Sequence, residues 1–410
     1  MIMPLASQHP GRANGRTSSA IRSANRAAIV DVLRRNGRAT RAELCTLTGL
    51  SRSTVSALVG ELAARGLLVE RPSALARSGG RPPTVLTLDR SGGLGIGIDI
   101  GVRHLAVAVG DLSRTVHAER WWSEPAGHSA PEGIATVLAS VATALREANA
   151  ERERLIGAAV SIAAPIYAAD QTIAEPAVLP GWTGAQLAEA LAAELAIPVA
   201  IDNDAALGAL GETIWGSHAG ARSLAYIKLA SRVGVGLVLD GAVYRGHAGL
   251  AGELGHLTVD PDGPVCWCGS RGCLELYAGG GAILRGLSGY DDDRGGLEAM
   301  IDAALGGDAE VIAAVRAAAR HLGRGVAALV NLVDPQHVVV GGELSRLAPL
   351  LLDPMRDELA RYSFVARSGE VAVSSSSLGR RASLLGALAL VLTQPSRFGD
   401  GTAFHAEGVR

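Results

Sequence analysis

The sequence predicts an α/β protein in two parts: an N-terminal winged helix-turn-helix joined to a two-lobed α/β body. Three observations carry this. Arginine is concentrated at the N-terminus, two short helical patterns meet there at Gly49, and two triplets of short apolar strands recur in similar order beyond residue 94.

With 410 residues the chain exceeds one ordinary core, so several domains are expected. Residues 1–85 hold thirteen arginines against Asp31, Glu43, Glu61 and Glu70, a net charge of +9. The whole chain carries −2, so the remainder carries −11. A basic head on an acidic body points to a polyanion-binding module. In that head, Ile29, Val32 and Leu33 share a helical face that ends at Gly37. Thr40 and Glu43 form a capping box for a short second helix, Gly49 makes the turn, and Ser51 caps a third helix. On the third helix Val55, Leu58, Val59 and Leu62 follow i, i+3, i+4, i+7 spacing. This is the layout of a helix-turn-helix whose last helix enters the major groove. Arg52, Ser53 and Ser56 lie opposite the apolar stripe, where they meet base edges or phosphates. The segments GLLVERP and TVLTLD read as a hairpin with SGGRPP at its tip, a wing whose Arg81 reaches the minor groove or a phosphate. The blander alternative is a small helical bundle with a solvated basic face. Cys45 reads as a core residue of the second helix.

From Leu94 the segments LGIGIDIG, HLAVAVGDL and TVHAERWW read as strands, followed by a helix over Ile134–Ala150. A second triplet follows in SLAYIKLA, VGVGLVLDG and AVYRG, and this loose duplication suits two lobes with a ligand between them. Between the triplets, Asn203 and Asp204 follow a strand and open a helix. They either grip hydroxyls, with Asp204 able to act as a base, or form an ordinary helix cap. Three of the four cysteines then fall in VCWCGSRGC, as C-x-C-x4-C, with His256 ten residues before the first. Cys266, Cys268, Cys273 and His256 complete a tetrahedral zinc site with no open position, hence a structural one. Trp267 is expected to pack outside this knuckle.

Composition excludes other classes. Apolar runs such as Leu384–Leu392 fall short of a membrane span, and the N-terminus lacks the apolar stretch of a signal peptide. Four cysteines, three of them clustered, do not make a disulfide framework, so a reducing cytoplasm is expected. Lys228 is the only lysine, and the arginine bias reads as a mark of a GC-rich genome.

GLAGELGH followed by CWCGSRGCLE resembles the signature of the ROK family of repressors, open reading frames and sugar kinases, and the likeness extends over residues 20–393. The resemblance implies an actin-like, sugar-kinase (ribonuclease H-like) fold, a zinc held by His256, Cys266, Cys268 and Cys273, and a sugar in the cleft. It places sugar contacts at Asn203, Asp204, Glu253, His256 and Glu275, with His256 offering one ring nitrogen to zinc and the other to a hydroxyl. The implied domains are a flexible stretch over 1–20, a winged helix over 21–90, a sugar-binding effector domain over 91–393 with the knuckle at 256–273, and a flexible tail over 394–410.

Family kinases hold ATP with Asp-x-Gly-Gly-Thr-Lys and Gly-Thr-Gly-x-Gly loops. Here these are DIGVRH (99–104) and ASRVG (230–234), with Val102 and Arg232 where glycine lets phosphate approach. AAPI (163–166) and AVLPGW (177–182) also depart from the sugar-side motifs. The expectation is a non-enzymatic, sugar-responsive repressor that binds operator DNA as a homodimer or tetramer. The alternative is an ATP-dependent sugar kinase or bifunctional protein, with Asp204 as its base. A zinc-stabilised DNA-binding scaffold without a ligand is a third possibility, disfavoured because Glu253 and Glu275 would be costly to bury.

Overall fold

A computed structural model describes residues 18–64, 66–72, 84–89, 93–123, 130–173, 184–290, 296–369 and 371–393. Arg81 and the wing tip, AVLPGW, and the tail 394–410 lie outside the described residues. The chain divides into two compact units, Met1–Gly92 and Gly93–Arg410.

The first unit holds α1 (Ser18–Asn36), β1 (Ala39–Thr40), α2 (Arg41–Thr48), α3 (Arg52–Ala64), β2 (Leu68–Pro72) and β3 (Thr84–Leu88). Helix α1 starts inside the stretch expected to be flexible, so residues 18–20 are a correction to that expectation. Thr40 and Glu43 exchange both bonds of the capping box, and Gly49 ends α2 in the left-handed region at φ 71°. The Ser51 hydroxyl accepts the Thr54 N–H at 3.2 Å. All four stripe residues of α3 are buried against Ile29, Leu33, Leu44 and Leu86. Strands β2 and β3 pair antiparallel as the hairpin, and β1 adds a third strand that no sequence signal announces because it is only two residues long. Cys45 is half-buried against this core.

In the second unit the elements run β4 (Leu94–Ile100), β5 (His104–Asp111), β6 (Val116–Ser123), α4 (Ala130–Glu147), β7 (Leu155–Ile162), α5 (Gly184–Leu195), β8 (Val199–Asn203) and α6 (Asp204–Trp215). The second half begins with β9 (Leu224–Leu229), β10 (Val233–Leu239), β11 (Ala242–Tyr244), α7 (Glu275–Ala278) and α8 (Gly280–Arg285). It continues with α9 (Gly296–Leu305), α10 (Ala309–Val333), β12 (His337–Gly341), α11 (Ala348–Tyr362), β13 (Ala372–Ser375) and α12 (Ala382–Thr393). The two sheets have the same order, β6-β5-β4-β7-β8 and β11-β10-β9-β12-β13. In each, three antiparallel strands are extended by two parallel ones. The duplication seen in the sequence is therefore a duplication of topology. The helix expected over Ile134–Ala150 is α4, which starts and ends slightly earlier.

The Ile-Gly alternation of β4 sorts its two faces. Ile96, Ile98 and Ile100 enter the core beneath α4 and α5, while Gly95 and Gly97 face α12. A Cβ on Gly97 would lie 2.7 Å from the Leu384 carbonyl oxygen, so only glycine lets α12 lie on this sheet. Gly236 of β10 repeats the device against α6, where a Cβ would stand 2.1 Å from the Ala205 oxygen. The two helices then cross each other just as closely. A Cβ on Gly386 of α12 would come 1.7 Å from the Leu207 carbonyl oxygen of α6. Gly386→Ala is therefore expected to cost about 3 kcal/mol through overpacking, read by chemical denaturation. Unchanged stability would contradict the close crossing.

Candidate functional site

The second unit contains a cleft of about 400 Å³. Its lining comes from the carboxyl ends of strands in both sheets: Gly101 after β4, Ala163 after β7, Asn203 at the end of β8 and Ala230 after β9. Parallel strands present their ligand sites at these ends, where loops and helix N-termini converge.

Asn203 caps α6, its Oδ1 accepting from the N–H groups of Ala205 and Ala206 at 3.0 and 3.1 Å. Its Nδ2 donates to the Ala164 carbonyl at 3.0 Å. Asn203 thus ties β8, α6 and the loop after β7 together at the cleft wall, and its acceptor oxygen is committed to the helix. Asp204 opens the helix and meets Lys228 Nζ at 2.6 Å. Leu224, Tyr226 and Lys228 alternate onto one face of β9; the first two pack beside Ala209 of α6, and Lys228 meets the start of that helix. Burial alone would lower the Lys228 ammonium, but the Asp204 and Asp99 carboxylates outweigh it and hold its pKa above the ordinary value.

Asp99, at the end of β4, is buried and accepts from Ser161 Oγ at 2.6 Å and pairs with His104 Nε2 at 2.9 Å. Burial would raise its carboxyl, but His104, Lys228 and Ser161 hold it below the usual range. For His104 burial acts downward and Asp99 prevails, so its pKa lies above the ordinary value. His104 also leans on Trp121 with ring centroids 5.4 Å apart and stands 3.8 Å from Glu343.

On the other wall, His256, Cys266, Cys268 and Cys273 bring their ligand atoms within 4.8 Å of one another. His256 Nδ1 is 3.7 Å from Cys266 Sγ, and Cys268 Sγ is 3.7 Å from Cys273 Sγ. A tetrahedral ion with bonds of about 2.3 Å to sulfur spaces its sulfurs about 3.8 Å apart, so the donors fit a metal ion. Burial, then the neighbouring Cys268 and Cys266, push the Cys273 thiol up to about 12. Gly272 bends at φ 57°, where a Cβ would meet the Asp260 carbonyl oxygen at 1.6 Å, so the knuckle closes only around glycine.

The knuckle's other side is the cleft. His256 Nε2 faces Glu253 at 3.9 Å, and Glu253, His256, Trp267 and Glu275 all line the cavity. Trp267, expected outside the knuckle, lies on its cleft side, where its Nε1–H donates to Glu275 Oε1 at 2.7 Å and its ring stands edge-on to His256. Burial, then the Asp204 and Glu275 carboxylates, raise the Glu253 carboxyl to about 6. Several carboxylates facing one cavity form an acceptor set matched to the hydroxyls of a polyol. The five residues expected to meet a sugar thus line one cavity. In the first unit, Arg52, Ser53 and Ser56 are exposed on α3.

Residues 95–394 match the model of the ROK family. The chain belongs to the ROK family. Residues 23–77 of this ROK chain match the MarR family model. The xylose repressor of Bacillus subtilis (strain 168) is 27% identical over 91% of this chain and 96% of its own. The crystal structure of a ROK family transcriptional regulator, a homologue of the E. coli MLC protein, has the same fold, with a TM-score of 0.78 at 22% identity, covering 95% of this chain and 100% of that one. A ROK family glucokinase from Streptomyces griseus, in complex with glucose and AMPPNP, gives a TM-score of 0.63 at 29% identity, covering 73% of this chain and 99% of that one.

Lys228, Trp121 and Arg380 line this ROK cleft with no role expected from the sequence, which marks Asp99 only as the first residue of the DIGVRH loop. Lys228 had a signal: it is the chain's only lysine, and it lines the cleft paired with Asp204. Trp121 and Arg380 had none, because the fold brings them in from distant segments. Among the described residues no helix is long and apolar enough to cross a membrane.

The Asp99–His104 pair gives a pH dependence. A raised histidine pKa supplies stability below the unfolded value of about 6.5, lost as pH rises through the folded value. A lowered aspartate pKa supplies stability above about 3.8, lost as pH falls through the folded value. The pair therefore contributes most between these limits. His104→Gln is expected to cost about 2 kcal/mol near pH 5.5 and clearly less near pH 9, read by urea unfolding. A pH-independent loss would contradict the ion pair.

Proposed function

We propose that this chain is a sugar-responsive, DNA-binding transcriptional repressor without enzymatic activity. One observation carries this: the likeness to the Bacillus subtilis xylose repressor spans 91% of the chain, whereas the likeness to the glucokinase structure covers 73%. The match therefore takes in the winged-helix unit together with the sugar-kinase-like one. Xylose is accordingly the first sugar to test.

In this reading α3 enters the major groove and Arg52, Ser53 and Ser56 contact base edges or phosphates, with Arg81 on the wing. A homodimer in the cytoplasm sets two such helices on the half-sites of a roughly palindromic operator. Asp204, Glu253, His256 and Glu275 accept or donate to sugar hydroxyls, and Asn203 holds the loops that frame them. Selectivity follows because a buried polar group left without its hydroxyl is costly. His256 Nδ1, Cys266, Cys268 and Cys273 hold a zinc ion, which supplies structural cross-linking and has no open position for chemistry. Sugar binding changes operator affinity to the extent that it favours one arrangement of the protein over another.

The kinase alternative draws on Asp204. That carboxylate is already engaged by the Lys228 ammonium at 2.6 Å. Val102 and Arg232 line the cleft at the two loops where family kinases carry glycine.

The test is a band-shift titration on the promoter fragment beside the gene, with a sugar panel headed by xylose. The full-length chain is expected to shift the fragment and one sugar to release it. Arg52→Ala is expected to weaken binding by roughly tenfold or more. Sugar-dependent ATP consumption by the purified chain would overturn the non-enzymatic assignment, and unchanged affinity of Arg52→Ala would overturn the docking.

A further inference from the structure

The cleft holds both acids and bases, and most of its basic groups are already committed. Lys228 pairs with Asp204 and His104 with Asp99. Arg232 and Arg380 differ. Arg232 lies over the Trp267 ring at 4.8 Å, and Arg380 lies over the Trp121 ring at 4.4 Å. All four side chains line the cavity. Among the described residues neither guanidinium has a carboxylate within ion-pair distance. Glu119 acts on Arg380 only at longer range, being held by Arg381 at 2.8 Å, and Glu275 is bonded to Trp267.

A guanidinium placed over an indole is attracted to the ring face, and the N–H groups that do not face the ring can meet an anion. Arg232 is half-buried and Arg380 exposed, so both guanidinium groups remain accessible to a ligand anion. Both arginines stand on anchored backbone. The turn between β9 and β10 is closed by Ala230 N–H to the Arg232 carbonyl at 3.1 Å. It is pinned to the start of α8 by Gly280 and Gly281, whose N–H groups reach the Ala230 and Ser231 carbonyls at 2.9 Å each. Arg380 sits in the single helical turn that leads into α12. Two cations on anchored backbone therefore line a cleft whose other polar groups suit hydroxyls.

We propose that the sugar accepted by this cleft carries an anionic substituent, a carboxylate or a phosphate, received by Arg232 and Arg380. The inference rests on the reading of the cleft as a sugar site and narrows its ligand class. Arg232 is one indole away from Glu275, so a single acidic sugar spans the hydroxyl-binding and anion-binding groups.

The experiment is calorimetric titration of the full-length chain with glucose, galactose and mannose. Each is offered in neutral form, as its uronate and as its 6-phosphate, with inorganic phosphate as the control. In at least one series the uronate or the 6-phosphate is expected to bind ten times more tightly than the neutral sugar, and which of the two does so identifies the anion. Arg232→Ala and Arg380→Ala are each expected to cut that ratio at least fivefold. Arg232→Lys, which keeps the charge and loses the planar fork, retains part of it. The proposal is overturned, with the sugar-site reading intact, if neutral sugars bind as tightly as their charged forms in every series. It is likewise overturned if the arginine variants leave the ratio unchanged. Inorganic phosphate binding as tightly as the sugar phosphates would overturn it by showing an anion site without a sugar. Absence of binding by all nine sugars, with no sugar releasing the promoter, would overturn both.

Discussion

The sensing wall of this protein depends on one imidazole ring that serves two neighbours. His256 turns Nδ1 to the cysteine cluster and Nε2 to the cleft, so the position of one fixes the other. A histidine with one nitrogen on a metal has its ring plane and tautomer set, and what lies beyond the second nitrogen is set with it. Glu253 precedes the ring by three residues and Glu275 follows the last cysteine by two, so both carboxylates adjoin the knuckle in the chain. Trp267 completes the link: it stands between two cysteines, meets the His256 ring edge-on and hydrogen-bonds Glu275. Without cross-linking, this glycine-rich loop would have to pay in conformational entropy for holding several acceptors toward one cavity.

The opposite wall is built by close packing. Glycines on β4 and β10 let α12 and α6 lie directly on their sheets, and Gly386 lets the two helices cross. That crossing anchors the N-terminus of α6, where Asn203 spends its oxygen on the cap and Asp204 faces the cavity. Lys228 then balances Asp204 and Asp99 together. Asp204 thus lines the cavity with one of its oxygens held by the Lys228 ammonium at 2.6 Å.

Much of this was legible in the sequence for identifiable reasons. The stripe of α3, the Thr40–Glu43 box and the strand triplets are local patterns, and local patterns survive into structure when the core agrees with them. The cysteine spacing and the upstream histidine marked the metal cluster because few other arrangements need that spacing. Strand β1 left no trace because two residues carry no periodicity. The cap alternative for Asn203 held for its oxygen, which the sequence left open, while its side chain still lines the cleft. The Arg–Trp stacks were invisible, since Arg380 and Trp121 lie far apart in the chain and meet only through the fold. Lys228 was visible as a singular residue, but its meaning depended on β9 presenting it to α6.

If the proposed zinc knuckle holds the proposed sugar-contacting groups in place, loss of the metal must weaken the sugar response. Sugar-dependent release of the promoter is measured for the wild-type chain and for Cys268→Ser, with metal content determined on the same samples. The variant is expected to lose its zinc, still shift the promoter, and need at least tenfold more sugar to release it. Loss of the metal with an unchanged sugar response would contradict it.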